Sequence, residues 1–215
     1  MTSTPGQPLE LRSLVLGSMQ ENCYLLVDPA TNTALLIDPG GEGPRLLKWL
    51  AGVTVTRILL THGDWDHVAA LDEVRAALGV RASLHPADNE LAAQSNARAD
   101  EALHDGGEVR LGAHVLTVHH TPGHTPGSVC LRFGSRALVG DAVFPGGPGH
   151  TNSPQALAQA LDSLQRTVFT WPDDTTLYPG HGGPTTVGQE RPGFEAFIAR
   201  PRPDGLHGDV SWSAG

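Results

Sequence analysis

Lysine is almost missing from this chain: Lys48 stands alone in 215 residues, and 14 basic side chains face 23 acidic ones for a formal net charge of -9. The 13 arginines are scattered singly. With no cluster of basic residues, a nucleic-acid or anionic-membrane surface is excluded and small molecules are the expected partners. The preference for Arg, Ala and Gly reads as genomic base composition rather than chemistry. Cysteine is nearly as scarce, with Cys23 and Cys130 in strand-like segments and no C-x-x-C pair. That excludes a disulfide framework and suits small buried hydrophobes in a reducing compartment. No apolar run reaches the ~18 residues of a membrane span, and the start from Met1 to Pro8 has no basic residues followed by an apolar stretch, so neither a span nor a leader is expected. The expectation is a single cytoplasmic domain, long enough to bury a real core.

Residues 9–16, 22–27 and 33–37 read as strands, stopped at Asp38-Pro39-Gly40-Gly41. The period then changes: Pro44, Leu46, Leu47 and Leu50 have helical spacing, residues 57–60 form a short apolar strand, and residues 66–78 carry Val68, Leu71, Val74, Ala77 and Leu78 on one helical face that ends at Gly79. A strand over 80–84 and a helix over 86–93 follow. Strands return at 109–111, 114–118, 128–133 and 137–139, the last two joined by a turn at Gly134-Ser135. Ser153-Pro154 predicts a capped helix with Leu157, Leu161 and Leu164 inward, then a strand at Leu177-Tyr178 and a helix through Phe194, Phe197 and Ile198. Residues 1–200 are expected to form the domain and residues 201–215, rich in Pro and Gly, a loosely ordered tail. Two runs of strands, each followed by helices, imply two packed sheets with helices outside, an α/β sandwich.

Polar clusters fall where strands end: Thr61-His62-Gly63-Asp64-Trp65-Asp66-His67, Thr121-Pro122-Gly123-His124-Thr125-Pro126-Gly127-Ser128, Gly140-Asp141, and Gly180-His181-Gly182. One such histidine is an ordinary loop residue. Four clusters together supply seven side chains of metal-ligand type on separate loops, the supply that two divalent ions with open positions need. In this order, with Asn22-Cys23-Tyr24 and Ile37-Asp38-Pro39-Gly40 ahead of them, these motifs resemble the metallo-β-lactamase superfamily, in particular its small bacterial glyoxalase II-like hydrolases. The resemblance covers most of the chain. It implies an αβ/βα sandwich with the metal site at one edge of the sheets, His62 and His124 on a first metal, Asp66, His67 and His181 on a second, and Asp141 bridging. It further implies a metal-bound hydroxide that cleaves a thioester, ester or lactone, with Asp66 orienting it and collecting its proton.

Asp64 departs from the family, which usually has a histidine there. Its carboxylate oxygen lies as far from Cβ, in bonds, as the Nδ1 that the family's histidine uses, so Asp64 is expected to remain a ligand; the alternative is that it turns to water or to a donor that touches no metal and leaves the first site weakened or empty. A third carboxylate removes the positive charge that two divalent ions, a bridging hydroxide and two carboxylates would leave. Replacing imidazole by a hard oxygen also favours iron or manganese over zinc. Glyoxalase II enzymes proper carry a C-terminal helical region for glutathione, and only 34 residues follow His181 here, so a substrate other than a glutathione thioester is expected. The alternative is a single iron on His62, His124 and Asp141, the set that persulfide dioxygenases of this fold use. A binding module without catalysis is the third possibility. His85, His104, His114 and His207 read as solvated or structural, and at most one of His119 and His120, on opposite faces of a strand, can approach the site. His150 follows the Asp141 loop closely enough to line its mouth. Trp65, between two ligand candidates, could wall the pocket, with core packing the preferred reading, and Tyr24 and Tyr178 read as strand residues without a function.

Overall fold

The computed structural model describes residues 7–213. Residues 1–6, most of the stretch read for a leader, and residues 214 and 215 of the expected tail lie outside the described part. The first half runs β1 (Glu10–Leu16), β2 (Glu21–Asp28), β3 (Thr33–Ile37), α1 (Gly43–Trp49), β4 (Thr54–Leu59), α2 (Trp65–Val68), α3 (Leu71–Leu78), β5 (Arg81–Leu84), α4 (Asn89–Ala93) and β6 (Glu101–Ala102). The second half runs β7 (Glu108–Leu111), β8 (His114–His120), β9 (Val129–Phe133), β10 (Arg136–Gly140), β11 (Val143–Phe144), β12 (Gly147–Pro148), α5 (Pro154–Arg166), β13 (Thr176–Pro179), β14 (Thr185–Thr186) and α6 (Val187–Ala199).

Two six-stranded sheets result. The first has the order β1-β2-β3-β4-β5-β6, antiparallel as far as β3 and parallel beyond it. The second has the order β14-β13-β10-β9-β8-β7 and is antiparallel except between β10 and β13. Alternation along the strands explains the layering. In β2, Tyr24 and Leu26 join a cluster shared with Val118, Leu131 and Leu138 of the other sheet, while Cys23, Leu25 and Val27 join Leu46 and Val74 of the helices. In β10, Leu138 faces the first sheet, and Ala137 and Val139 face Leu161 and Phe194 of the outer helices. Strands covered on both faces must be apolar at every position, which is why they read as unbroken hydrophobic runs. The αβ/βα sandwich expected from the sequence is the fold observed, and both cysteines are free and buried. No helix of the described residues is long and apolar enough to cross a membrane.

Three expectations are corrected. The helix expected over 66–78 is two, because the Ala70 N–H leaves the helical ladder for the carbonyl of Pro39, 3.0 Å away. The break frees the short α2 to aim Asp66 and His67 independently of α3. Strands β6, β11, β12 and β14 are additions to the expected set, since two residues carry no period. Residues 201–213 are not a loose tail: Gly208 pairs with Thr151, and Val210 and Trp212 are buried. The Trp212 indole packs on Phe194 and Phe197 and donates to Glu190 at 2.8 Å. The Pro and Gly content hides an aromatic anchor. Trp212→Ala is expected to lower the unfolding free energy by about 3–5 kcal/mol, read by urea unfolding, with Trp212→Phe recovering part of the loss.

Candidate metal centre

All seven ligand-type residues meet at one edge of the sandwich, on loops that leave β4, β8, β10 and β13. Their imidazoles are aimed by their far nitrogens. The Nδ1 of His124 donates to the His150 carbonyl at 2.8 Å, and that of His181 donates to the Met19 carbonyl at 3.0 Å. His67 Nδ1 donates to Asp38 Oδ2 at 3.1 Å. Thr61 Oγ1 gives its one proton to Asp38 Oδ2 at 2.6 Å and so accepts from His62 Nδ1 at 3.0 Å. With each Nδ1 bonded outward, all four Nε2 atoms point inward, where a cation that displaces the protons they hold would meet their lone pairs.

These inward atoms converge. His67 Nε2 and His181 Nε2 are 3.4 Å apart, and Asp66 Oδ2 is 3.2 Å from His181 Nε2. His124 Nε2 lies 2.9 Å from Asp64 Oδ2, and His62 Nε2 lies 3.7 Å from the same oxygen. Asp141 sits between the two groups, its Oδ2 3.7 Å from His124 Nε2 and 3.6 Å from His181 Nε2, its Oδ1 3.5 Å from His67 Nε2. Yet His62 Nε2, His124 Nε2 and Asp141 Oδ1 are buried with no hydrogen-bond partner. At 2.9 Å, His124 and Asp64 form an ion pair when His124 is protonated, and without that proton they are two donors beside one another, as ligands of a shared cation would be. Orphaned buried acceptors of this kind are costly unless a cation completes them, and imidazole with carboxylate suits zinc, iron or manganese. The residues therefore fit a divalent metal centre.

The electrostatics point the same way. Burial would strip the proton from His67, but the hydrogen bond to Asp38 and the charges of Asp141 and Asp38 outweigh it and push its pKa up to about 10. The field that attracts a proton there attracts a cation equally. Burial and the neighbouring His67, His124 and His181 hold His62 well below the usual histidine range, so it is neutral. Burial opposes ionisation of Asp66, and the His181 hydrogen bond and the His67 charge overcome it, leaving Asp66 below the ordinary carboxylate range.

Several contributors have roles that the sequence reading did not assign. Asp38 groups with His62 and His67 as a possible ligand, but its oxygens are taken by the Thr61 N–H, the Thr61 hydroxyl and His67 Nδ1, so it orients rather than coordinates. Asp88, fully buried, accepts from the Gly63 N–H at 2.9 Å, the Thr125 hydroxyl at 2.6 Å and the Gly127 N–H at 2.6 Å, clamping the His62–Asp64 loop to the His124 loop. Nothing in Pro86-Ala87-Asp88 announces this. Tyr24, a strand residue without a function by sequence, donates from its hydroxyl to the Pro179 carbonyl at 2.7 Å, and Asn22 Nδ2 donates to the Pro179 and Gly182 carbonyls, so β2 holds the His181 loop. A side chain at Gly180 would place its Cβ 2.1 Å from Asp141 Oδ1 and 2.5 Å from His67, so only glycine fits. Glu21 is buried beside the site with neither oxygen bonded, and burial pushes its carboxyl up to about 10.

Trp65 is corrected from core to surface: it is 56 % exposed and lines a cleft of about 580 Å³ above the centre, together with Met19, Phe144 and His150. His85 and His120 stack on one another, and His119 lies against Trp171. Neither His119 nor His120 belongs to a ligand group, nor does any of the other histidines read as structural.

An αββα sandwich with imidazoles and carboxylates gathered at one sheet edge defines a class of metal-dependent enzymes. The family model of the metallo-β-lactamase superfamily matches residues 16–185, and the chain belongs to that superfamily, whose members bind divalent metals and are generally hydrolases. It is 32 % identical to the hydroxyacylglutathione hydrolase GloC of Haemophilus influenzae over 204 residues, covering 85 % of this chain and 95 % of the relative. It is 35 % identical to the human mitochondrial persulfide dioxygenase ETHE1 over 183 residues, covering 82 % and 69 %. Among solved structures, TTHA1623 in a di-iron-bound form superposes with a TM-score of 0.69 at 33 % identity, covering 84 % of this chain and 96 % of that one.

Asp38→Asn places amide donors against the His67 and Thr61 donors and is expected to weaken metal binding about 10–100-fold, read by chelator competition. In the same titration the unaltered protein binds more weakly as pH falls from about 9 to 6, because a metal at His67 must displace its proton.

Proposed function

We propose that the protein is a hydrolase of small thioesters, esters or lactones that works with two divalent ions. His62, Asp64 and His124 would hold one ion, and Asp66, His67 and His181 the other, with Asp141 shared. The observation that carries this reading is the convergence of four inward Nε2 atoms and three carboxylates at the floor of an open cleft. Ions bound there would polarise a substrate carbonyl and make water a competent nucleophile near neutral pH. The chain's own residues do the rest. Asp66, kept ionised by His181, faces the reacting water and receives its proton at the carboxylate. Asp38, Thr61 and two backbone carbonyls keep all four imidazoles in one tautomer, so that no ligand reorients during turnover. A thiolate leaves unaided through the cleft past Trp65, whereas the oxygen of an ester or lactone takes back the proton held on Asp66 as its bond to the acyl carbon breaks. Of the two relatives, GloC bears a name that accords with this chemistry.

The ETHE1 likeness and the separate group of His62, His124 and Asp141 define the competing outcome, iron-dependent oxygen chemistry. Against it, Asp64 lies beside His124 and His62 as a fourth donor and leaves that position less open. Protein reconstituted with zinc, iron or manganese is expected to turn over chromogenic thioesters without oxygen, and Asp66→Asn to lower kcat per bound metal about 10²–10⁴-fold. Oxygen uptake driven by a persulfide, with no anaerobic thioester turnover, overturns the proposal. Asp64→His is expected to move metal preference toward zinc in competition experiments. By restoring positive charge it should also shift the pH at which activity rises to lower values.

A further inference from the structure

Among the described residues that wall the cleft there is no lysine or arginine. Four aspartates line it: Asp64, Asp66 and Asp141 at the floor and Asp209 at the rim. Two divalent ions would be matched in charge by these carboxylates, and the chain as a whole is acidic. A carboxylate or phosphate on the substrate, away from its reacting carbonyl, would find no cation to receive it and would face Asp209, which is itself paired with His150 at 3.0 Å. What the rim does offer is apolar surface. Met19 and Trp65 are 54 % and 56 % exposed, two of the three large hydrophobic side chains so exposed among the described residues, and both open on this cleft. Both are tied to ligands: the Met19 carbonyl holds His181 Nδ1, and Trp65 lies between Asp64 and Asp66 in sequence. An apolar lip fixed to the metal-binding loops registers an apolar group at a set distance from the reacting carbonyl.

Resting on the hydrolase reading, we infer that the cleft takes uncharged substrates whose acyl or leaving group carries an aryl or alkyl surface for Trp65 and Met19. It discriminates against anionic ones, glutathione thioesters among them. The test is titration calorimetry of the zinc-loaded protein with two hydroxamates that share a metal-binding head, 4-phenylbutanohydroxamate and its para-carboxylate counterpart. Acetohydroxamate, the head alone, serves as control.

The uncharged ligand is expected to bind at least about ten-fold more tightly at low ionic strength, and Asp209→Asn or about 0.5 M salt should narrow the gap. Trp65→Ala and Met19→Ala are each expected to weaken the uncharged phenyl ligand several-fold while leaving acetohydroxamate binding unchanged. Equal or tighter binding of the carboxylate, or no loss of phenyl-ligand affinity in either variant, overturns the inference. Absence of ester and thioester turnover with this binding pattern intact overturns only the hydrolase reading.

Discussion

The site depends on one buried carboxylate. Asp38, at the end of β3, is 1 % exposed and takes three donors, two from Thr61 and one from His67. Through Thr61 it fixes the tautomer of His62, and directly it fixes that of His67, so a single side chain orients one imidazole in each proposed metal position. Burying a charge is costly unless it is fully hydrogen-bonded, and Asp38 meets that condition only while the Thr61–His67 loop is folded over it. Its own backbone lies in the left-handed region, φ 52, a modest strain that its bonds hold in place. The strand end, the loop and both metal positions are therefore one cooperative unit.

Three further ties extend that unit across the two sheets. Asp88 joins the His62 loop to the His124 loop, β2 joins the His181 loop to the first sheet through Asn22 and Tyr24, and the His150 carbonyl joins His124 to the loop after Asp141. The first two use buried polar groups and the third a more exposed one, each where the strands have ended and backbone groups would otherwise go unpaired. Rigid strands set the distances between loops and these bonds set the angles. A metal centre needs both, since a ligand displaced by a few tenths of an ångström no longer completes the coordination shell.

The architecture is legible because periodicity survives in sequence. Strands covered on both faces give unbroken apolar runs, and the stripe of Leu157, Leu161 and Leu164 places α5. The ligand loops are legible because a single His or Asp beside Gly and Pro is commonplace, whereas four such loops, each at a strand end, suit a shared metal centre and little else. What stays hidden has no local signature. Asp88 reads as an ordinary helix-start residue, and only the fold brings Gly63 and Gly127 to it. Trp65 is read first as core because tryptophan usually is, yet it opens the short α2 at the edge of the cleft and stays exposed. The tail reads as loose because Pro and Gly dominate it, while one indole, that of Trp212, decides its place.

Asp64 is where the sequence departs from its family, and the surroundings bear on what a carboxylate does there. As the N-cap of α2 it could accept from that helix's free N–H groups, the usual fate of an aspartate in this position. It makes no such bond. Its Oδ2 instead turns inward beside His62 and His124, and its side chain is one-third exposed toward the cleft. A carboxylate that forgoes its local bond and approaches two imidazole nitrogens is placed to share with them a proton on His124 or, in the proposed centre, a cation. The exchange costs the centre positive charge, and the cleft above it holds no basic residue to restore it. In the proposed centre, ligand set and cleft wall thus share one electrostatic character, which would suit a neutral carbonyl compound and a harder metal than imidazole alone would choose.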